Sequence, residues 1–314
     1  MNDTIEIQLQ NKEAEVGRLD KVLQSSLEDI SRSSIQKMIK NQQVRVNGKV
    51  EKANFKLVGN EFIQINMIEE EEEVIQIIPE QMPLDIQYED EAILVINKPA
   101  GMVVHPSKGH PNGTLVNGLY AYLKHNLSNV QSNIRPGIVH RIDKDTSGLL
   151  VVAKHNLAHA ELAKQLENHT MGRTYYALVN GVIKEESGHI EMPVKRDPSN
   201  RLRWHVDECG KEAITDFVVL KRWSNASLVK VKLKTGRTHQ IRIHMEAIGH
   251  PIIGDPLYRR HLQHITGEFT QLKEGQLLHA KELQLYHPTR KEAMKFTSPL
   301  PERMLKIINQ LDNC

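Results

Sequence analysis

Between residues 61 and 96 the chain carries eleven Asp and Glu side chains and not one Lys or Arg, and five of the acids stand consecutively at 69–73. Five adjacent like charges repel one another and cannot share a core, so such a run normally separates folded modules. It predicts a division into a flexible N-terminus or short edge strand over 1–15, a small domain over 16–68, an acidic linker over 69–84 that is closed by Pro79 and Pro83, a large domain over 85–305, and a C-terminal tail over 306–314. A length of 314 residues suits one large domain with a small companion. The flanking segments are basic: residues 16–60 hold nine Lys or Arg against four acids, and residues 97–314 hold thirty-one against twenty. The formal net charge of +2 hides this segregation. Two basic modules around an acidic spacer point to a polyanion as partner of both, with clustered solvated faces as the plainer alternative.

Other classes are set aside by composition. No apolar run approaches the ~20 residues of a membrane helix, so no membrane partner is expected. The start Met1-Asn-Asp-Thr-Ile-Glu6 has no basic-then-apolar pattern of an export signal. Two cysteines, Cys209 and Cys314, make neither a disulfide framework nor a four-cysteine zinc site. The expected location is the cytoplasm, and a monomer is the default.

In the small module, Leu19, Val22, Leu23 and Leu27 fall on one helical face, and Ile35, Met38 and Ile39 on another. Ser31 and Ser33 are candidate N-caps for the second helix. Val44-Arg-Val-Asn-Gly-Lys-Val50 places Asn47-Gly48 between alternating residues, the strongest short signal of a hairpin. Further strand pattern surrounds residues 62–68. Two short helices and a small sheet would then carry Arg18, Lys21, Arg32, Lys37, Lys40, Arg45 and Lys49.

In the large module, the 92–96 run reads as a core strand stopped by the turn Lys98-Pro-Ala-Gly101. Leu115, Leu119 and Leu123 have helical spacing, as do Ala158, Leu162, Ala163 and Leu166. His155 and His159 are four apart, a spacing that can hold zinc, but no third ligand is placed nearby, so they read as surface histidines and no metal is expected. Strands are predicted over 173–181, 213–220 and 228–234, the last running into Arg237-Thr-His-Gln-Ile-Arg-Ile-His244. Many strands without a βαβ rhythm predict an α+β domain, with a largely antiparallel or mixed central sheet flanked by helices and loops, preceded by the small α/β domain.

The most informative stretch is Arg135-Pro-Gly-Ile-Val-His-Arg-Ile-Asp-Lys-Asp-Thr-Ser-Gly-Leu-Leu-Val-Val-Ala-Lys154. It opens on a Pro-Gly turn and ends in a buried-strand run, with His140, Arg141, Asp143, Lys144, Asp145, Thr146 and Ser147 between. Polar side chains tied directly to a core strand suit a rigid loop that carries chemistry. A charged turn closing a hairpin fits this stretch alone equally well.

Two resemblances decide the matter. Arg18-Leu-Asp-Lys-Val-Leu23, Ser31-Arg-Ser-Ser-Ile-Gln-Lys-Met-Ile39 and Val44-Arg-Val-Asn-Gly-Lys49 resemble the S4-like RNA-binding domain from residue 16 to about 65. His140-Arg-Ile-Asp-Lys-Asp-Thr-Ser-Gly148 resembles the signature loop of the RluA/RluD family of RNA pseudouridine synthases. Lys98-Pro-Ala-Gly-Met-Val-Val-His-Pro106, Arg173-Thr-Tyr175 with Ala177-Leu-Val179, and Leu233-Lys-Thr-Gly-Arg-Thr-His-Gln-Ile-Arg-Ile-His244 are similar to its further motifs, in the family's order. Gly254-Asp-Pro-Leu-Tyr258 and Leu278-His-Ala280 fit as well. The departures are Ile142 for the usual leucine, Arg173 for the usual lysine, and Arg259-Arg260 where a glycine is common. The last bears on RNA contact and not on the chemistry.

The resemblance implies an isomerase that breaks the N1–C1′ bond of a uridine, turns the base and rejoins it through C5. The reaction has no net hydrolysis or redox change, so no cofactor is implied. Asp143, not Asp145, would be the nucleophile, with C6 of the base and C1′ of the ribose both open as its target. Arg242 would hold that carboxylate as a bidentate pair and oppose its protonation. Tyr175 would lie beneath the flipped uracil and assist loss of the C5 proton. Arg141 would fill the space vacated in the RNA, and His140 would touch backbone or serve as a structural hydrogen-bonding group. Arg18, Arg32, Lys37, Arg45, Lys49 and Arg237 are the remaining RNA-contact candidates, and Trp204 and Trp223 divide between base stacking and core packing. Large-subunit ribosomal RNA is the favoured substrate, with transfer RNA the other. The rival readings are a non-catalytic RNA-binding or ribosome-assembly protein that keeps the fold, and an N-glycosidase, which lacks a second carboxylate to activate water. Thr146 or Ser147 acting as a hydroxyl nucleophile has no matching acid–histidine motif.

Overall fold

In the computed structural model, which describes residues 3–8, 16–27, 32–67, 77–107, 109–123, 127–128, 136–200, 202–260, 262 and 268–313, the chain divides into two units, Met1–Val74 and Ile75–Cys314. The acidic run at 69–73 lies outside the described residues.

The first unit contains β1 (Asp3–Gln8), β2 (Gly17–Arg18), α1 (Leu19–Ser26), α2 (Arg32–Lys40), β3 (Val44–Val46), β4 (Lys49–Val50), β5 (Lys56–Leu57) and β6 (Phe62–Met67). Its antiparallel sheet runs β1-β6-β3-β4, and β2 pairs with β5. The apolar faces read from the sequence close on each other: Leu19, Val22 and Leu23 of α1, Ile35 and Ile39 of α2, and Val44, Val46, Ile63 and Ile65 of the sheet form one core. Asn47 and Gly48 have φ of 47° and 79°, the left-handed pair that a two-residue hairpin needs. Asp20 is fully buried and accepts from Arg18 Nε at 2.9 Å and Gln36 Nε2 at 2.6 Å, which ties α1 to α2. Within the lead, residues 3–8 form the short edge strand that is one of its two readings, since β1 pairs along β6 and Ile7 packs on the core. One expectation is corrected. Ser33 lies inside α2 and is not its cap, while Ser31 is outside the described residues.

The second unit contains β7 (Ile86–Glu89), β8 (Ile93–Lys98), α3 (Leu115–Leu123), β9 (Ser147–Ala153), α4 (Asn156–Glu167), β10 (Gly172–Asn180), β11 (Ser187–Glu191), β12 (Val194–Arg196), β13 (Trp204–Val206), β14 (Ile214–Arg222), β15 (Ala226–Leu233), α5 (Gln240–Ala247), β16 (Leu278–Tyr286), β17 (Ala293–Thr297) and α6 (Glu302–Asp312). One large sheet runs β11-β14-β15-β10-β16-β9-β8-β7, with β17 also on β16. All its pairs are antiparallel except β9 with β16, so the sheet is mixed, as the strand pattern predicts.

Both faces are covered. Leu150 and Val152 of β9 join the core beneath α3 and α5, while Leu149, Val151 and Ala153 point to the opposite core beneath α4. This two-sided burial is why the strand reads as a continuous apolar run rather than an alternating one. At the other end of the sheet, α6 packs Met304 and Leu311 against Leu178 and Ala226.

Three boundaries move. The linker ends early, because Ile77 and Leu84 pack on the second unit's core, Asn117 Nδ2 donates to Ile78 O at 2.8 Å, and Gly113 N donates to Glu80 at 3.0 Å. The tail is helical, since α6 runs to Asp312 with Leu311 buried. The segment after Gly236 becomes α5 instead of prolonging β15. His155 and His159 are not plain surface histidines either: His155 caps α4 by accepting from Ala158 N at 3.1 Å, and His159 is buried. Trp223 donates to Asp312 Oδ1 at 2.5 Å and packs with α6, and Trp204 packs beside Tyr258, so both indoles serve the core.

Candidate active site

The loop 140–146 enters β9 through a turn in which Thr146 N donates to Asp143 O at 3.2 Å. Its conformation is fixed from outside. The Lys144 carbonyl accepts from Gly101 N and from Lys98 Nζ, both at 2.9 Å, so the Lys98-Pro-Ala-Gly101 turn clasps the loop. Lys98 is fully buried, and its ammonium also donates to Pro99 O at 2.7 Å and Met102 O at 2.8 Å. Burial draws it down to about 7 against the pull of Asp145 and Asp143. Three carbonyl acceptors use all three N–H bonds of the charged form. Gln276 Nε2 holds Thr146 Oγ1 at 2.9 Å. Gly148 sits at φ +112°, and a Cβ there would come within 2.3 Å of Ala280 O, so only glycine lets the loop feed into β9 beside β16.

This loop delivers Asp143 to a cavity of about 60 Å³ that is also lined by Arg141, Arg173, Tyr175, Arg237, His239 and Arg242. Arg242 Nη1 donates to Asp143 Oδ2 at 2.9 Å. The bidentate partner of Arg242 is not Asp143 as expected but Asp255, which takes Nε at 2.6 Å and Nη2 at 3.0 Å. Asp255 is itself fixed, its Oδ1 accepting from Leu257 N at 2.8 Å and Tyr258 N at 3.1 Å. The arginine is therefore aimed by one buried carboxylate and spends its remaining edge on the other. Burial opposes its charge, but the two carboxylates outweigh that and raise its pKa. The Tyr258 ring lies 4.9 Å from the guanidinium centre.

Tyr175 on β10 is buried in the same cavity, with Ile142, Ile241 and Leu278 in the same core. Burial raises the pKa of its phenol, Arg173 works against that and Asp143 with it, so the hydroxyl keeps its proton. A buried aromatic face beside a carboxylate can receive a planar base.

His239 was not singled out by the sequence. It caps α5 in the left-handed region at φ 58° and stands between Tyr258 and Asp143. The buried Tyr258 oxygen accepts from Trp204 N at 3.0 Å, which leaves His239 Nδ1, 2.9 Å away, to take the phenol proton. The neutral ring then carries its own proton on Nε2, 3.8 Å from Asp143 Oδ1. Burial lowers the pKa of His239 although Asp143 pulls the other way, which favours that neutral form. His239, Asp255 and Tyr258 all lie inside motifs quoted above. Membership in those motifs was the only available signal, because their contacts are long-range.

The other predicted residues divide. Arg141 is exposed at the cavity, and Arg237 lines it while its Nε donates to Glu212 O at 2.8 Å. His140 turns inward, its Nε2 accepting from Val151 N at 3.1 Å, and burial with the nearby Arg173 charge pushes it down to about 3. Arg18 pairs with Asp20, Arg45 donates to Gly48 O at 3.1 Å, and Lys37 and Lys49 are exposed, all in the first unit; the Arg32 side chain is outside the described residues. Arg259 is structural, donating to Thr270 O at 2.6 Å and Leu272 O at 2.8 Å. Ser147 does meet a histidine, His279 Nδ1 at 2.9 Å, but the other ring nitrogen meets Ser298 Oγ at 2.8 Å, with no carboxylate to complete a relay. Among the described residues no His, Cys, Asp and Glu side chains cluster to hold a metal ion, and no helix is long and apolar enough to cross a membrane.

Comparison with known proteins bears on this geometry. Residues 92–247 match the sequence model of the RNA pseudouridylate synthase family, and residues 17–63 match that of the S4 domain. An uncharacterized RNA pseudouridine synthase of Bacillus subtilis (strain 168), YlyB, is 46% identical over 96% of this chain and 96% of its own. Ribosomal large subunit pseudouridine synthase D of Neisseria meningitidis serogroup A is 42% identical over 94% of this chain and 79% of its own, and that of Escherichia coli O6:H1 is 40% identical over 93% and 89%. Among solved structures, human RNA Pseudouridylate Synthase Domain Containing 1 shares the fold, with a TM-score of 0.56 and 24% identity over 74% of this chain and 96% of that one.

Proposed function

Since the chain belongs to the RNA pseudouridylate synthase family, and so isomerises uridine in RNA to pseudouridine, we propose that it acts on large-subunit ribosomal RNA with Asp143 as its nucleophile. The observation that carries the catalytic assignment is the pair formed by Asp143 with a buried arginine that Asp255 already orients. Asp145, two residues along, packs against Gly275 and does not line the cavity. The target uridine leaves its stack, at a cost of ~a few kcal/mol, and enters against the Tyr175 face. Asp143 bonds to the nucleotide, the N1–C1′ bond breaks, the base turns and C5 joins C1′; the bond to Asp143 then breaks and returns the carboxylate, and the C5 proton leaves past the Tyr175 hydroxyl, which relays it by passing on its own. Arg242 holds Asp143 aligned through its hydrogen bond to Oδ2, and His239 Nε2 stands 3.8 Å from the other carboxylate oxygen. Arg141 at the rim suits the gap left in the RNA. No step calls for a cofactor.

The ribosomal substrate is supported by the relatives named for the large subunit and by the S4 domain, whose Lys37, Arg45 and Lys49 suit phosphate contacts. Mapping pseudouridine across total RNA from cells with and without this gene tests it. The expected result is loss of one or a few sites in large-subunit RNA. Loss confined to transfer RNA would overturn the substrate assignment, and an unchanged map would favour the non-catalytic binder.

A further inference from the structure

Beside the catalytic cavity lies a larger one of about 500 Å³, bordered by Arg141, Arg173, Arg237, His140 and His169, with Glu167 as its acidic side chain. Arg141, Arg173, Gly236 and Arg237 line both, so the two spaces are continuous along this wall. Arg173 is the residue whose place there has no structural explanation. Its Nε is buried without a hydrogen-bond partner, and no ion pair engages its guanidinium among the described residues. A half-buried cation with an idle donor costs stability unless something outside the chain completes it.

Two features show that the position is built. Arg173 is two residues before Tyr175 on β10, and both side chains reach the catalytic cavity from the same face of the strand. That offset of ~7 Å is comparable to the distance from a nucleobase to its own backbone phosphate. Gly236 faces it: a Cβ there would lie 2.6 Å from Arg173 Nη1, so the absence of a side chain makes the room in which the guanidinium lies. The backbone turn at 235–237 then brings Arg237 to the same wall.

We infer that Arg173, with Arg237 across Gly236, forms a phosphodiester-binding seat for the RNA backbone beside the flipped uridine, and that the larger cavity takes the adjoining nucleotide. The planar fork of arginine matches a phosphate, and the polar, basic cavity suits a ribose-phosphate more than an apolar ligand. The inference rests on the RNA-isomerase reading for its ligand, but it concerns binding and is tested as binding.

The probe is a fluorescein-labelled RNA hairpin with a single loop uridine, prepared also with a methylphosphonate at each phosphate flanking that uridine. Affinity of the full chain is measured over a range of salt. Arg173→Met should weaken binding about tenfold and lower the salt slope by roughly one charge, while Arg173→Lys restores most of both. Lys306→Met, an exposed charge on α6, should change neither. One methylphosphonate should weaken wild-type binding and cost the Arg173→Met protein nothing further. Wild-type affinity and slope in Arg173→Met, or penalties that add at every flanking phosphate, would overturn the seat. A protein that shows the coupling but never isomerises the RNA would instead contradict the functional reading and leave the seat standing.

Discussion

Arg242 illustrates how much of the site's geometry depends on one side chain. It donates three hydrogen bonds in one plane, two to Asp255 and one to Asp143. A lysine there keeps the charge but has no fork with which to serve both carboxylates. Arg242→Lys should therefore lower single-turnover isomerisation by about 100-fold or more while RNA affinity holds, as read by rapid quench and titration. Tyr175→Phe isolates the phenol from the ring. If the hydroxyl relays the C5 proton, removing it should slow turnover by about 100-fold at unchanged RNA affinity. A wild-type rate would leave stacking as the residue's role. Lys98 shows the same logic in a structural setting, because its three carbonyl acceptors lose their donor together in Lys98→Met.

At the scale of elements, the junction of β9 with β16 carries a titration. His279 is buried between Ser147 and Ser298, where burial and then the Lys281 charge push it down to about 4. Its unfolded-state value is near 6.5, so the unfolded chain takes the proton first as pH falls. The stability that the neutral ring contributes is complete above about 6.5 and is lost progressively toward 4, with about 2 kcal/mol gone by pH 5. His140, also pushed down by burial, adds in the same direction. Melting of residues 75–314 should drop between pH 7.5 and 5.0, and His279→Asn should flatten that slope; an unchanged slope would remove His279 as its source. The strands here were legible because β8 and β9 are buried on both faces and advertise it as apolar runs. Helix α5 was not. Its Gln-Ile-Arg-Ile-His sequence alternates like a strand, and its polar residues are buried only because Asp143, Asp255 and Thr215 meet them from remote parts of the chain. For the same reason the motifs located Asp143, Arg242 and Tyr175, while the Asp255–Arg242 fork and the His239–Tyr258 contact could not be read. His159 shows the converse, a histidine of helical spacing that is buried with neither ring nitrogen hydrogen-bonded among the described residues.

At the scale of the whole molecule, each unit has its own hydrophobic core, and residues 77–84 belong with the second. Removing residues 1–74 should leave a folded, cooperatively melting protein that binds RNA more weakly and with a shallower salt dependence, because the exposed cations of the first unit leave with it. Equal affinity and an unchanged slope would argue against RNA binding by that unit. The central claim, that the full chain isomerises uridine through one carboxylate, is tested most directly by tritium release from large-subunit RNA labelled at uridine C5, with enzyme in excess. Asp143→Asn keeps the side-chain shape and removes the nucleophile. The account predicts no release from Asp143→Asn at RNA affinity equal to or tighter than wild type, and substantial release from Asp145→Asn. Release by Asp143→Asn, or equal loss in both variants, would contradict it.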